Sequence, residues 1–464
     1  MPTQLKRPRA REVRTLLSLV EQHHLLLQIV RLVAEWRRAG RDASLTQDPY
    51  ARWNLARRRL LLAAAVRVSG ALLLLPRISE DMACSRKRMT DWTEVTFKED
   101  FRFRKHDFMR ILHGMGLGDV HDSKRPRWIR VGTDSTQSLV CSAWALMVLI
   151  KRLASTCTYR DLKKVLGGSK TLLCETFLYM LGYVYARYHR RLCDLTWFEP
   201  HVDELIRLVD AQCLHHNGMH SPVDNIIGML DGHFMHTTRP HGRGCRSRNF
   251  VDRHVYNGKG QRSLACPRGV TYVRMCCCSA SAGYSDKGGS DPEKLHGLKY
   301  QGVALPLGLG LVWGPYTTEA DATMQHDSGI EAVLAAMTAR RAAAAHPNSA
   351  PLLLYADSAY TETVHVFKAT PWATSTAQER RLNNVFKPMR VIVENLFCAT
   401  SQLAPLVKCA GQSTQLGRTP AGMIYPVAML LTNLHCFFYG NCIVGSVPGA
   451  EQALSKMSVD AYLA

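Results

Sequence analysis

With 464 residues the chain is long enough for two or three domains, since a single core stops growing near roughly 250–300 residues. Its 59 lysines and arginines against 38 aspartates and glutamates leave a net charge of +21, an excess that suits a polyanionic partner without choosing among DNA, RNA and an anionic membrane. Fifteen cysteines, an odd number with no Cys-x-x-Cys pair, argue with the lack of a secretory signal against a disulfide framework and for reduced thiols inside the cell.

Residues 1–90 read as a basic helical region. Val13, Leu16, Leu17, Val20, His24, Leu27 and Val30 recur near the helical period, so an amphipathic helix is expected from about Arg11 to Arg38. The tract from Pro2 to Arg11 reads as a nuclear address or a phosphate-binding arm. Leu60 to Pro76 is apolar but interrupted by Arg67 and Gly70, and it falls short of the roughly 20 residues of a spanning helix, so no membrane anchor is expected.

Residues 91–200 read as a second helical region. Asp107 is expected to cap a helix carrying Phe108, Ile111 and Leu112, and Ser135 to Leu153 to form an apolar helix. Between Thr158 and Phe177 a short helix breaks at Gly167-Gly168, and Ser169 caps its successor. This order is that of a helix-turn-helix, which would set Lys170, Thr171 and Glu175 beside DNA; an ordinary helical hairpin has the same spacing.

Residues 222–445 carry the chemistry. The apolar run from Asn225 ends in Asp231-Gly232, which is how a buried strand hands a carboxylate to a sheet edge, although Asp-Gly is also a common turn. Pro351 to Tyr360 repeats the pattern with Asp357. Arg390 to Phe397 puts Glu394 on a helix whose Met389, Ile392, Val393 and Leu396 make a buried stripe. Alone, Glu394 beside Arg390 would be a surface pair worth at most about 0.5 kcal/mol. Leu295 to Pro315 reads as two strands joined at Pro-Leu-Gly, and Asp327 or Ser328 is expected to cap a helix from Ile330 to Arg341. Strands alternating with helices make the region α/β. His233 and His236 lack a complementary His or Cys pair, so zinc is not favoured.

At these residues the sequence resembles the DDE superfamily endonucleases of Harbinger-type transposases. The matching pieces are Met229 to Gly232, Tyr256-Asn-Gly-Lys259 with Leu295 to Gln301, Gly314-Pro315 with His326-Asp327, Ala356-Asp-Ser-Ala-Tyr360, Asn384 with Met389 to Phe397, and Leu431 to His435, in the family's order. The resemblance implies a ribonuclease-H-like DDE catalytic domain of α/β class, preceded by an all-α helix-turn-helix-like region. Asp231, Asp357 and Glu394, spaced by 126 and 37 residues, would be its acidic triad and would hold Mg²⁺ or Mn²⁺. Arg239, Lys299 and Arg390 join Lys170 and Thr171 as expected DNA contacts. The chain departs from the family pattern in His233 after Asp-Gly and in an insertion at about 260–294.

The expected function is therefore metal-dependent cleavage of DNA phosphodiester bonds, in the nucleus, by a transposase-type enzyme. It would act with a Myb-like accessory protein, which the family implies, and a homo-oligomer is the expected assembly. The alternative is a domesticated, transposase-derived DNA-binding protein without catalysis.

Overall fold

The computed structural model describes residues 86–118, 126–132, 137–236, 283–285, 295–316, 319–344, 350–408 and 420–464. The expected helix from Arg11 to Arg38, the apolar run Leu60 to Pro76, Arg239, and nearly all of the insertion lie outside them. Residues 1–78 and 79–464 are separate units, and the second is described here.

Helices α1 (Glu94–Phe101) and α2 (Lys105–Gly114) bury Phe97, Phe101 and Phe108 in one aromatic cluster. Asp107 does not cap α2. The helix begins two residues earlier, after Arg104, and Asp107 instead accepts a 2.6 Å hydrogen bond from the Tyr439 hydroxyl. The expected all-α character of 91–200 is corrected by a two-stranded antiparallel sheet, β1 (Trp128–Val131) with β2 (Ser138–Cys141). The helix expected from Ser135 is accordingly shorter, since α3 spans Ser142–Leu153. Leu139 and Val140 pair across to Arg130 and Ile129 before the chain turns helical, and an apolar run that is strand first and helix second has no single period.

Next come α4 (Tyr159–Leu166) and α5 (Lys170–Leu192). Gly167 and Gly168 lie between them with φ of +73° and +78°, a region that favours glycine, and the Ser169 hydroxyl accepts from the Leu172 amide as the sequence suggests. Lys170 and Thr171 are exposed at the start of α5, whereas Glu175 is half-buried. Helix α6 (Val202–Asn217) leads into the main sheet.

That sheet contains β3 (Ile226–His236), β4 (Gly283–Ser285), β5 (Leu295–Ala304), β6 (Gly310–Tyr316), β7 (Leu353–Ala356) and β8 (Val366–Lys368). Strand β5 pairs antiparallel with β3 on one side and β6 on the other, and β7 and β8 continue parallel on the other side of β3, giving the order β6-β5-β3-β7-β8; β4 pairs the start of β5. The β5–β6 hairpin turns at Leu305–Leu309, as expected from Pro-Leu-Gly. Ile226 to Leu230 are all buried because β3 is central and covered on both faces.

Two helices, α7 (Asp321–Ser328) and α8 (Ile330–Ala343), follow β6. Asp327 lies inside α7 and caps nothing; Gly329 is the cap residue of α8, and the Ser328 hydroxyl accepts from the Ile330 amide at 3.3 Å. Helix α9 (Ala377–Leu403) starts in a reciprocal Thr376–Glu379 capping box, and α10 (Ala421–Tyr439) is buried along nearly its whole length. Three short helices close the chain: α11 (Cys442–Ser446), α12 (Ala450–Ser455) and α13 (Val459–Leu463). Asn433 fixes α10 to the sheet by exchanging hydrogen bonds of 2.8 and 2.7 Å with the backbone of Gly310. Among the described residues α10 alone is long and apolar enough to cross a bilayer, and 83% of its apolar window is buried in the protein.

Candidate active site

Register sets the two aspartates side by side. Leu230 of β3 is level with Ala356 of the parallel strand β7, so Asp231 and Asp357, one residue on, leave the pairing together. The sequence suggests that Asp231 ends its strand, but β3 runs on to His236 against β5; only its parallel partner stops. Across the antiparallel pair Asp231 faces Gly302, and opposite residues share a face of the sheet. A β-carbon on Gly302 would fall 2.6 Å from the Phe397 ring, so the missing side chain lets α9 lie close on β5. Glu394 stands one turn before Phe397, and α9 thereby carries it to the face that Asp231 shares. Met389, Ile392, Val393 and Leu396 form the buried stripe read from their spacing.

Two of the three carboxylates share a cation of the protein's own. Arg390 approaches Asp357 at 3.8 Å and Glu394 at 3.6 Å, both outside hydrogen-bonding reach. The carboxylate of Asp231 accepts from the Gly232 amide at 2.8 Å and that of Asp357 from the Ala359 amide at 2.7 Å. Burial raises the Asp231 carboxyl to about 6; the Gly232 amide and Arg390 oppose this, and the charges of Asp357 and Asp321 add to it.

Two further groups belong to this neighbourhood and were not expected. Asp321, first residue of α7, lies against Gly232 on the opposite face, where an added β-carbon would be 2.8 Å from its carboxylate. Tyr360 is 2% exposed, and its hydroxyl has no hydrogen-bond partner among the described residues, while Asp321, Asp231 and Asp357 all push its ionisation upward after burial itself. The Ala356-Asp-Ser-Ala-Tyr360 motif contained the signal for Tyr360. Asp321 had none, since only the fold brings it to β3.

The other expected residues are dispersed. Lys299 is engaged within the protein, 2.9 Å from Asp321 and 3.1 Å from the Glu319 carbonyl. Lys170 and Thr171 belong to the helical region, and Arg239 lies outside the described residues. His233 sits in an aromatic stack, 4.6 Å from Tyr425 and 4.7 Å from Phe397.

In kind, the three acids suit a hard divalent cation, because every donor is oxygen and the orphaned Tyr360 hydroxyl is a further one. Among the described residues, no three His, Cys, Asp or Glu side chains are drawn close enough together to hold a metal as they stand. Comparison with family models, curated proteins and solved structures returned no match.

Proposed function

We propose that the protein is a divalent-metal-dependent DNA endonuclease of transposase type, with a ribonuclease-H-like core and Asp231, Asp357 and Glu394 as its acidic triad. The carrying observation is that residues 126 and 37 positions apart in sequence come into one neighbourhood: Asp231 within β3 lies one residue past the level pair that also precedes Asp357 at the end of β7, and Arg390 approaches both Asp357 and the helical Glu394. Three antiparallel strands followed by two parallel ones support the core assignment, and the net charge of +21 supports DNA as partner.

Mg²⁺ or Mn²⁺ held by the three carboxylates would activate water and neutralise the crowded phosphate. The chain's own contribution is to present the ligands. Strand register fixes Asp231 beside Asp357, α9 delivers Glu394, and the Gly232 and Ala359 amides orient the two aspartates. With a carboxyl raised to about 6, Asp231 is mostly ionised at neutral pH and gains from any added positive charge. Arg390, half-exposed, is free to turn towards a phosphate when a metal takes its place.

A second reading, a transposase-derived DNA-binding protein whose chemistry has lapsed, is favoured by one observation: Asp357 and Glu394 are each nearest to the Arg390 guanidinium, a cation of the chain itself. Plasmid nicking separates the two. Purified wild type with Mn²⁺ or Mg²⁺ is expected to nick supercoiled DNA, and Asp231→Asn and Glu394→Gln to lose nicking while still binding DNA. Binding without nicking by the wild type, together with Mn²⁺ affinity that appears only in Arg390→Gln, would establish the lapsed form.

A further inference from the structure

The segment between β8 and α9 presents a tryptophan that the core does not use. Trp372 is 63% exposed at the tip of a turn in which the Thr374 amide donates to the Pro371 carbonyl at 3.1 Å. The turn is fastened on both sides. Asn383 of α9 donates to the Thr370 carbonyl at 2.8 Å and accepts from its amide at 3.2 Å, and the Ser375 hydroxyl donates to the Trp372 carbonyl at 3.0 Å. Arg380 of α9, held by a 3.2 Å hydrogen bond to Ser375, lays its guanidinium over the indole at 4.9 Å from the ring centre. One face of the ring is thus covered by a cation, and the other is open on a rigid support.

From this platform an exposed ridge runs along α9 to the acidic site. At about 100° per residue Arg380, Asn384, Lys387 and Glu394 share its exposed face, with Arg381 and Arg390 exposed on opposite flanks. Glu394 is the first exposed acid; Glu379 is turned away into the cap, bonded to the Thr376 amide at 2.7 Å. The rise of 1.5 Å per residue puts about 21 Å between Arg380 and Glu394, about six base-pair steps of duplex. Cations at this spacing match a phosphate backbone, and an aromatic face matches a base that has left its pair. A base paired inside a duplex offers no free face for stacking, and a blunt duplex offers one only at its two ends.

We infer that α9 is a strand track: Arg381 and Lys387 contact phosphates leading to the Asp231–Glu394 site, and Trp372 stacks on an unpaired DNA base at its far end. This rests on DNA as the substrate but not on the metal chemistry, and it is tested without metal. In EDTA, the anisotropy of two labelled DNAs is followed with the full chain: a blunt duplex, and the same duplex with a single-stranded extension. Wild type is expected to prefer the extended DNA. Trp372→Ala should weaken that complex about five- to hundredfold and the blunt complex less than about twofold, and Trp372→Phe should retain most of the preference. Arg381→Ala with Lys387→Ala should weaken both complexes and lower the salt slope by about two. Equal losses on both DNAs with Trp372→Ala, no loss on either, or failure of wild type to bind DNA would overturn the track. Tighter binding to an RNA extension would overturn it in favour of RNA. Loss of nicking with the preference intact would count against the nuclease reading alone.

Discussion

At the scale of single residues, Asp231 carries the sharpest expectation. Its carboxyl, raised by burial from the usual 3.8 to about 6, binds its proton more tightly in the folded chain than in the unfolded one. Between those values the folded state holds more protons, so stability falls as pH rises through the window and stays lower above it. In EDTA, Asp231→Asn should therefore match wild type near pH 4 and exceed it by about 1–3 kcal/mol at pH 7.5 in urea denaturation. A difference that does not change with pH would show that the carboxyl is not raised. On the proposed reading, a cation bound there would offset the desolvation of Asp231 and the repulsion that Asp357 and Asp321 exert on it. The strands that carry Asp231 and Asp357 were legible in the sequence because each acid follows an apolar run, and the helix that carries Glu394 because its neighbours had helical spacing. Asp321 and Lys299 were not legible as a pair, since their contact exists only once β5 and α7 lie across the sheet from each other's sequence neighbours.

At the scale of elements, the approach of α9 to β5 decides where Glu394 ends up. Gly302 has no side chain beneath the Phe397 ring, and an alanine there must push the helix or the ring aside. Overfilling of this kind costs roughly 1–3 kcal/mol. Gly302→Ala should lower stability by that amount and reduce nicking more than DNA binding, and Phe397→Leu in the same chain should restore part of both. Independent, additive losses in the double variant would mean that Gly302 and Phe397 do not act through their contact. The helix around Glu394 was readable from spacing, but its start at Thr376 and its distance from the sheet were not, because a glycine in a strand names no partner. The reverse error occurred at β2. Ser138 to Cys141 runs without a polar break into α3, and only its pairing with Trp128–Val131 marks it as a strand.

At the scale of the whole molecule, the helical region and the sheet share one unit. Helix α5 packs against α3 on one side and α10 on the other, and α10 in turn lies on β6. Tyr439, at the end of α10, donates to Asp107 and accepts from the Arg104 amide, tying the first described helices to one of the last. The grouping of local elements was visible in the sequence. Their joining was not, because hydrophobic pattern says that a face is buried and is silent about what buries it.

Helix α10 has a consequence for the making of the protein. The ribosome delivers residues 421–439 only after almost everything they cover, so α5 and β6 wait with bare apolar faces until the given sequence is nearly all made. When it does emerge, this segment is apolar enough to be handled as a membrane span unless it docks promptly. A chain stopped at Pro420 should accumulate in the insoluble fraction with the full chain in the supernatant; equal solubility would show that the unit closes without its last long helix. A premature stop late in the message would thus leave a chaperone client rather than a shortened working protein.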